Sequence, residues 1–144
     1  MERCASRGGQ FLLPVDGMCA SAVDPTAHTL TVEIGEIPAD MIMVDIGPKT
    51  VAVFGQAIDD AKTILWNGPM GIFEMPPFAE GTKQIAERVA ESGATTIVGG
   101  GDTVAAIEQF SDASRFTHVS TGGGASLEFL EGRTLPGVAA LLDR

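Results

Sequence analysis

The stretch TTIVGGGDT at residues 95–103 decides the fold of this chain. Its β-branched beginning, Thr95–Val98, is typical of a strand, and three consecutive glycines end that strand abruptly. The residues from Thr103 to Phe110 then follow a helical pattern. A strand that turns through glycines directly into a helix is the βα unit of a parallel sheet.

The same order of strand, loop and helix occurs twice more in the second half of the chain. A predicted strand at Thr63–Trp66 runs into Asn67-Gly68-Pro69, and a helix follows from about Pro77 to Ser92. A predicted strand at Thr117–Ser120 runs into a second glycine triplet, and a helix follows at Ala125–Leu130. The pattern predicts an α/β fold, with βα units on a mostly parallel sheet and right-handed crossovers.

The first half of the chain is less regular. We predict strands at Gln10–Leu13, Thr29–Ile34 and Met41–Ile46, the last nearly all apolar and therefore buried on both faces. A helix follows, with Thr50 as its N-cap. Its apolar stripe consists of Val51, Phe54, Ala57, Ile58 and Ala61.

Composition bounds the possible functions. The chain has 144 residues, room for one domain, and a net charge of −10. Such an acidic chain repels DNA and anionic membranes, so neither is an expected partner. The two cysteines, Cys4 and Cys19, have no metal-ligand spacing and fit reduced thiols in a cytoplasmic protein. No apolar stretch is long enough for a membrane span, and Pro14 and Asp16 interrupt the only run that resembles a signal peptide.

Three loops should meet at one edge of the sheet, because ligands of parallel sheets bind beyond the carboxyl ends of the strands. These loops are Asn67–Gly71, Gly99–Thr103 and Thr121–Ser126. Glycines let the backbone approach a phosphate, and helix N-termini supply free N–H donors. A single loop of this kind is equally explained as a tight turn, but three together favour a ligand site. No P-loop lysine motif is present, which excludes a Walker-type ATPase.

Several side chains near these loops admit two interpretations. Asp102 is either the N-cap of its helix or a ligand of Mg²⁺ beside nucleotide phosphates. Glu74 is either a solvated acid or an acceptor for a ribose hydroxyl. Thr103 is either an ordinary first-turn residue or a phosphate hydrogen-bond donor. Trp66 should lie in the core, and His118 should be a hydrogen-bonded core residue.

Six ordered blocks resemble the phosphoglycerate kinase family. The most specific are WNGPMGIFE at 66–74, GGGDTVAAI at 99–107 and STGGGASLEFLEG at 120–132. Three further blocks are LLPVD at 12–16, DIGPKT at 45–50 and LPGVAAL at 135–141. The resemblance runs from about Arg7 onward and corresponds to roughly the last third of the family's chain.

The resemblance implies phosphoryl transfer between 1,3-bisphosphoglycerate and Mg-ADP, which gives 3-phosphoglycerate and Mg-ATP. It assigns Asn67, Pro69 and Glu74 to the nucleotide, with Glu74 on the ribose. The residues that would line the phosphates are Gly100, Gly101, Asp102 and Thr103, with Asp102 on the metal. The backbone of Gly101 and Gly124 would face the transferring phosphoryl group.

The resemblance also implies what is absent. The fold that it implies is α/β, a three-layer Rossmann-like parallel sheet with flanking helices. Residues 1–144 would form a partial C-terminal nucleotide-binding domain of a two-domain kinase, without the N-terminal domain that binds 3-phosphoglycerate. We therefore expect the isolated chain not to turn over, although full-length members are usually monomeric enzymes. Two alternatives stay open: a non-catalytic nucleotide-binding remnant, and a dinucleotide-binding oxidoreductase domain, which TTIVGGGDTVAA also resembles. The second glycine triplet, after THVS, disfavours the oxidoreductase domain because an acidic or basic ribose ligand is expected there.

Overall fold

A computed structural model describes residues 2–141 and shows a mixed α/β protein with two three-stranded sheets. The strands within this range are β1 Asp16–Ala20, β2 Thr29–Glu33, β3 Ile42–Ile46, β4 Thr63–Asn67, β5 Thr95–Gly99 and β6 His118–Ser120. The α-helices are α1 Glu2–Ala5, α2 Pro48–Asp60, α3 Glu80–Glu91, α4 Gly101–Phe110, α5 Gly123–Leu130 and α6 Pro136–Ala139.

The second sheet is the parallel sheet that the glycine loops predict. Its strand order is β4-β5-β6, with Thr63 opposite Thr95 and Ile97 opposite His118. Helices α2, α3 and α4 supply the apolar residues that cover one of its faces, and Trp66 lies in this core as predicted. The buried members of the core are Ile46, Val51, Trp66, Ile85, Ala86, Val89, Val98, Ile107 and Phe116.

The first sheet is antiparallel, with order β2-β1-β3, and so differs from the mostly parallel arrangement that we predicted for the whole chain. Its central strand β1 was not predicted, because the sequence DGMCA contains an acid and a glycine that disfavour strands. The strand predicted at Gln10–Leu13 is wrong. That segment pairs with no strand in the described range, and Phe11 is 60% exposed.

Strand β3 is not buried on both faces, which corrects a second prediction. It pairs only with β1, at the edge of the antiparallel sheet. Its first two residues, Ile42 and Met43, are exposed, whereas Val44, Asp45 and Ile46 are buried. The apolar run therefore reflects burial at one end of the strand rather than along both faces.

Helix α2 begins at Pro48 after an extended Gly47, so the prediction of Thr50 as its N-cap is wrong. The capping acceptor comes instead from β1. The Asp16 carboxylate accepts hydrogen bonds from the amides of Lys49 (3.0 Å) and Thr50 (2.7 Å) and from the Thr50 hydroxyl (2.7 Å). Burial alone would raise the pKa of Asp16, but the hydrogen bonds from Thr50 and Lys49 outweigh it and lower that pKa. A strand side chain thus completes the first turn of the helix.

Helix α3 begins at Glu80, three residues after the predicted start. Pro76–Phe78 form a separate 3₁₀ turn, whose Phe78 is fully buried. The predicted inward residues of α3 are confirmed, because Ile85, Ala86 and Val89 lie in the core and Ala90 packs against it.

The other face of the parallel sheet is largely open. Leu65, Ile97 and His118 line a groove of about 400 Å³, which α5 borders with Ala125 and Phe129. His118 is exposed here, so its predicted burial in the core is wrong. Between residues 2 and 141, no strand pairs with the outer edge of β4. The parallel sheet therefore exposes one strand edge and much of one face, which includes apolar side chains.

No helix within residues 2–141 has the length and apolar character needed to cross a membrane.

Candidate functional site

The three loops predicted to meet do so at the carboxyl edge of the parallel sheet. The Gly100 amide donates to the Ser120 carbonyl at 3.0 Å, which ties the loop after β5 to the end of β6. The Asn67 side-chain amide, at the end of β4, donates to the Gly123 carbonyl at 3.4 Å. All three strands of the sheet therefore contribute to one small surface around Asn67.

Two glycines make this close approach possible. Gly100 has φ of 100°, in a region that other residues rarely adopt, and a Cβ there would lie 3.1 Å from Asn67 Oδ1. A Cβ on Gly123 would lie 2.9 Å from the Cα of Gly100. The two glycine loops touch backbone to backbone, as the glycine triplets lead one to expect.

The first turns of α4 and α5 present free amides at this surface. Neither helix has a side chain that caps its N-terminus. Within the described part of the chain, no group accepts a hydrogen bond from the amides of Gly101, Asp102, Thr103, Gly124 and Ala125. Positions 101 and 124 face open space, since a Cβ on either would meet no atom within 4 Å. Two helix N-termini with unpaired amides form a surface suited to a phosphate chain.

Asp102 is the second residue of α4 and is exposed, while the N-cap position belongs to Gly100. The alternative of Asp102 as an N-cap is therefore wrong. No three His, Cys, Asp or Glu side chains among residues 2–141 form a cluster that could hold a metal ion. A single exposed carboxylate beside phosphate-binding amides still fits Mg²⁺, because this ion keeps several waters and takes its other ligands from phosphates.

Thr103 performs a task that the sequence did not reveal. Its side chain is only 1% exposed, and its hydroxyl oxygen accepts a hydrogen bond from the Gly68 amide at 2.7 Å. The Trp66 indole donates to the Gly68 carbonyl at 2.7 Å. Gly68, at the start of the loop after β4, is thus held at both of its backbone groups. Its amide is bound to α4, and its carbonyl is bound to the core residue Trp66.

The rest of that loop is fixed by groups that sequence analysis missed. Thr82, fully buried in the first turn of α3, accepts hydrogen bonds from the amides of Met70 (3.0 Å) and Gly71 (3.1 Å). The Ile72 amide donates to the Val44 carbonyl at 2.9 Å. The two residues in each of these pairs are 11 to 28 positions apart along the chain, and no local sequence pattern predicts such distant pairs.

Asp45 is a second missed group behind the same loop. It is 2% exposed and accepts hydrogen bonds from the amides of Ile46 (2.8 Å) and Gly81 (2.7 Å). Burial raises the pKa of Asp45 to about 6. The hydrogen bonds from the two amides partly offset this rise, and the negative charge of the nearby Glu80 adds to it. The carboxylate joins the end of β3 to the first turn of α3, which also carries Thr82.

Glu74 is exposed in a turn after the buried Phe73. Phe73 packs with Ala79 and Ala106, and its carbonyl accepts from the Gln109 side chain at 3.4 Å. Ala106 lies five residues along α4 from Gly101, or about 7–8 Å at the helical rise per residue. The residue before Glu74 therefore contacts the middle and the end of α4 and not its first turn, which carries the free amides.

Comparisons with known proteins agree with this geometry. A sequence model of the phosphoglycerate kinase family matches residues 1–133. The phosphoglycerate kinase of Roseiflexus sp. (strain RS-1) is 54% identical over 143 residues, which are 99% of this chain and 36% of the relative. That of Desulfosudis oleivorans is 54% identical over 141 residues. The chain thus spans about a third of the length of the curated relatives it matches.

Solved structures show the same relationship. The phosphoglycerate kinase from Coxiella burnetii superposes with a TM-score of 0.89 at 40% identity, over 96% of this chain and 36% of that structure. The enzyme from Pyrococcus horikoshii OT3 superposes with a TM-score of 0.76 at 33% identity, over 89% of this chain and 31% of that structure. Together with the glycine loops and their shared edge, these matches show that the chain belongs to the phosphoglycerate kinase family.

Proposed function

We propose that this chain is the nucleotide-binding part of a phosphoglycerate kinase and binds Mg-ATP and Mg-ADP at the carboxyl edge of β4, β5 and β6. The reaction that it would serve is glycolytic phosphoryl transfer between 1,3-bisphosphoglycerate and ADP, with 3-phosphoglycerate and ATP as products. The observation that carries this proposal is the pair of adjoining helix N-termini with unpaired amides.

The proposed roles follow from position. The amides of Gly101, Asp102 and Thr103 would line the phosphates beside the backbone of Gly100, whose own amide is bound to Ser120. The amides of Gly101 and Gly124 would face the phosphoryl group in transfer. Asn67 and Pro69 would bound the nucleotide on the β4 side. Glu74 would accept a ribose hydroxyl, since the preceding Phe73 packs along α4 at a distance from the phosphate amides.

Asp102 would hold the magnesium ion that accompanies the nucleotide. Its carboxylate is exposed in the first turn of α4, among the amides that would bind the phosphates. Magnesium bound there would neutralise phosphate charge, which a chain with nine Lys and Arg against nineteen Asp and Glu does little to offset itself.

The proposal places 3-phosphoglycerate on the part of the family's sequence that this chain does not cover. Residues 1–144 would be a partial C-terminal domain, which binds nucleotide and does not catalyse the kinase reaction alone. Cytoplasmic location and a lack of nucleic-acid or membrane partners accompany the proposal, in keeping with the net charge of −10.

Titration calorimetry with Mg-ADP tests the site. We expect the 144-residue chain to bind Mg-ADP and the Asp102→Ala variant to bind at least about tenfold more weakly, since a metal-bound carboxylate is lost. Glu108→Ala is the matched control, because Glu108 is an exposed acid further along the same helix and should leave affinity unchanged. Absence of binding by the wild-type chain, or equal affinity of Asp102→Ala, would refute the site.

A coupled kinase assay on the pure chain tests the second half of the proposal. We expect no turnover of 3-phosphoglycerate and ATP above the blank. Turnover at the rate of a full-length relative would show that residues 1–144 suffice, and the proposed dependence on further sequence would be wrong.

A further inference from the structure

Thr82 is a buried hydroxyl with an uncommon pair of partners. It lies in the first turn of α3, is 0% exposed, and its oxygen accepts from two consecutive loop amides, Met70 at 3.0 Å and Gly71 at 3.1 Å. Side-chain oxygens in the first turn of a helix usually serve that helix's own amides. Here the oxygen serves a different segment, the loop after β4.

The loop that Thr82 binds carries Pro69. Proline has no amide hydrogen, so its position depends on the residues on either side. The preceding amide, of Gly68, is held by Thr103 at 2.7 Å, and the following amide, of Met70, is held by Thr82. Pro69 is therefore clamped between two buried hydroxyls that belong to two different helices.

We propose that Thr82 is a positioning residue for the nucleotide, which acts by holding Pro69 and the following loop in the binding conformation. The proposal rests on the proposed function, because it concerns the same site. Thr82 is fully buried and therefore touches no ligand itself. Its effect on affinity would come from the loop alone.

The chemistry at issue is the hydroxyl oxygen and not the volume of the side chain. Valine has nearly the same shape as threonine but cannot accept a hydrogen bond. In Thr82→Val two partly buried amides would lose their acceptor, and the loop would move to pair them elsewhere. Serine keeps the oxygen and loses one methyl group, so Thr82→Ser should keep the loop in place.

The experiment compares Mg-ADP affinity by calorimetry in Thr82→Val, Thr82→Ser and Thr96→Val. Thr96 is a matched control, because it is 3% exposed and its hydroxyl accepts from the Thr117 amide at 2.9 Å. It lies at the amino end of β5, the opposite end of the strand from the site. Thermal melts of each variant record how much stability each substitution removes.

We expect Thr82→Val to bind Mg-ADP about tenfold more weakly, since small displacements of positioning groups have effects of this order or larger. Thr82→Ser should bind within about twofold of the wild type, and Thr96→Val should do so even when its melting temperature falls as far as that of Thr82→Val. Equal binding by Thr82→Val and wild type would overturn the inference and leave the nucleotide site intact. Equal weakening in Thr96→Val would overturn it as well, because lost stability would then explain the effect. A wild-type chain that binds no Mg-ADP would overturn both proposals.

Discussion

Asp45 is a carboxylate that the fold buries between the end of β3 and the first turn of α3. Two amides satisfy its oxygens, but no cation forms a salt bridge with it among residues 2–141. Burial raises its pKa from 3.8 to about 6, so the folded state holds a proton that the unfolded state has already released in this range. The contribution of Asp45 to stability is therefore full at low pH and is lost as pH rises through about 6.

The titration of Asp45 should make the free energy of unfolding depend on pH. The Asp45→Asn variant should lack this dependence, because asparagine does not titrate. Relative to that variant, the free energy of unfolding of the wild type should fall by about 1 kcal/mol between pH 5 and pH 7.5. Its melting temperature should fall by about 4 °C over the same range. Thermal melts of both proteins across that range measure the difference. A constant difference in melting temperature across the range would show that Asp45 does not titrate there.

At this scale the sequence predicted the positions of some candidate site residues in the fold better than the contacts that hold the loops around them. Asp102 could be placed at the start of a helix, because a glycine run precedes it and a helical pattern follows. The burial of Thr103, the double acceptor Thr82 and the buried Asp45 could not be predicted. Each depends on a partner at least 11 residues away, which periodicity does not reveal.

At the scale of elements, the contact between the two glycine loops sets the shape of the candidate site. A Cβ on Gly123 would lie 2.9 Å from the Cα of Gly100, and neither backbone can yield as a flexible side chain would. Gly123→Ala should therefore push α5 away from α4 and lower stability by about 1–3 kcal/mol. Thermal melts measure the loss.

Gly124→Ala is the control for that substitution, because a Cβ at position 124 meets no atom within 4 Å. Alanine also favours a helix over glycine by about 1 kcal/mol, so this variant should melt at the wild-type temperature or slightly above it. If Gly124→Ala were as destabilised as Gly123→Ala, the helix and not the loop contact would be the cause.

Some of the strands could be predicted from the local sequence pattern, whereas others depend on contacts with residues distant in the chain. Strands β4, β5 and β6 were predictable because β-branched runs end in glycine loops and lead to helices. Strand β1 was not, since it contains Asp16, a residue type that disfavours strands, whose carboxylate is here bound by the first turn of α2. The segment at 10–13 has the apolar character of a strand but pairs with no strand in the described chain.

At the scale of the whole molecule, the open face of the parallel sheet leaves apolar side chains in contact with solvent. Leu65 is 37% exposed on β4, whose outer edge has no partner strand within residues 2–141, and it lies beside the groove that Ile97 and His118 line. Exposed apolar faces and unpaired strand edges favour association between molecules. We therefore expect the isolated chain to self-associate and to melt over a broad range of temperature.

Leu65→Lys should reduce this self-association, as light scattering at pH 7.5 would measure. Val53→Lys is a matched control, because Val53 is also 37% exposed but lies on α2 and not on the open sheet face. The substitution adds the same charge as Leu65→Lys. Equal reduction by both variants would mean that charge and not the sheet face controls association. A sharp two-state melt of a monomeric wild-type chain would contradict the expectation outright.

The bond between Asp16 and the start of α2 has a consequence for the route of folding. It joins groups 34 positions apart in the chain, and α2 also places Val51 in the core beneath the parallel sheet. A helix whose opening turn is completed from so far away gains full stability only after the intervening loop has closed. The antiparallel hairpin and the helix should accordingly appear together, late and as one kinetic unit, whichever part of the chain collapses first.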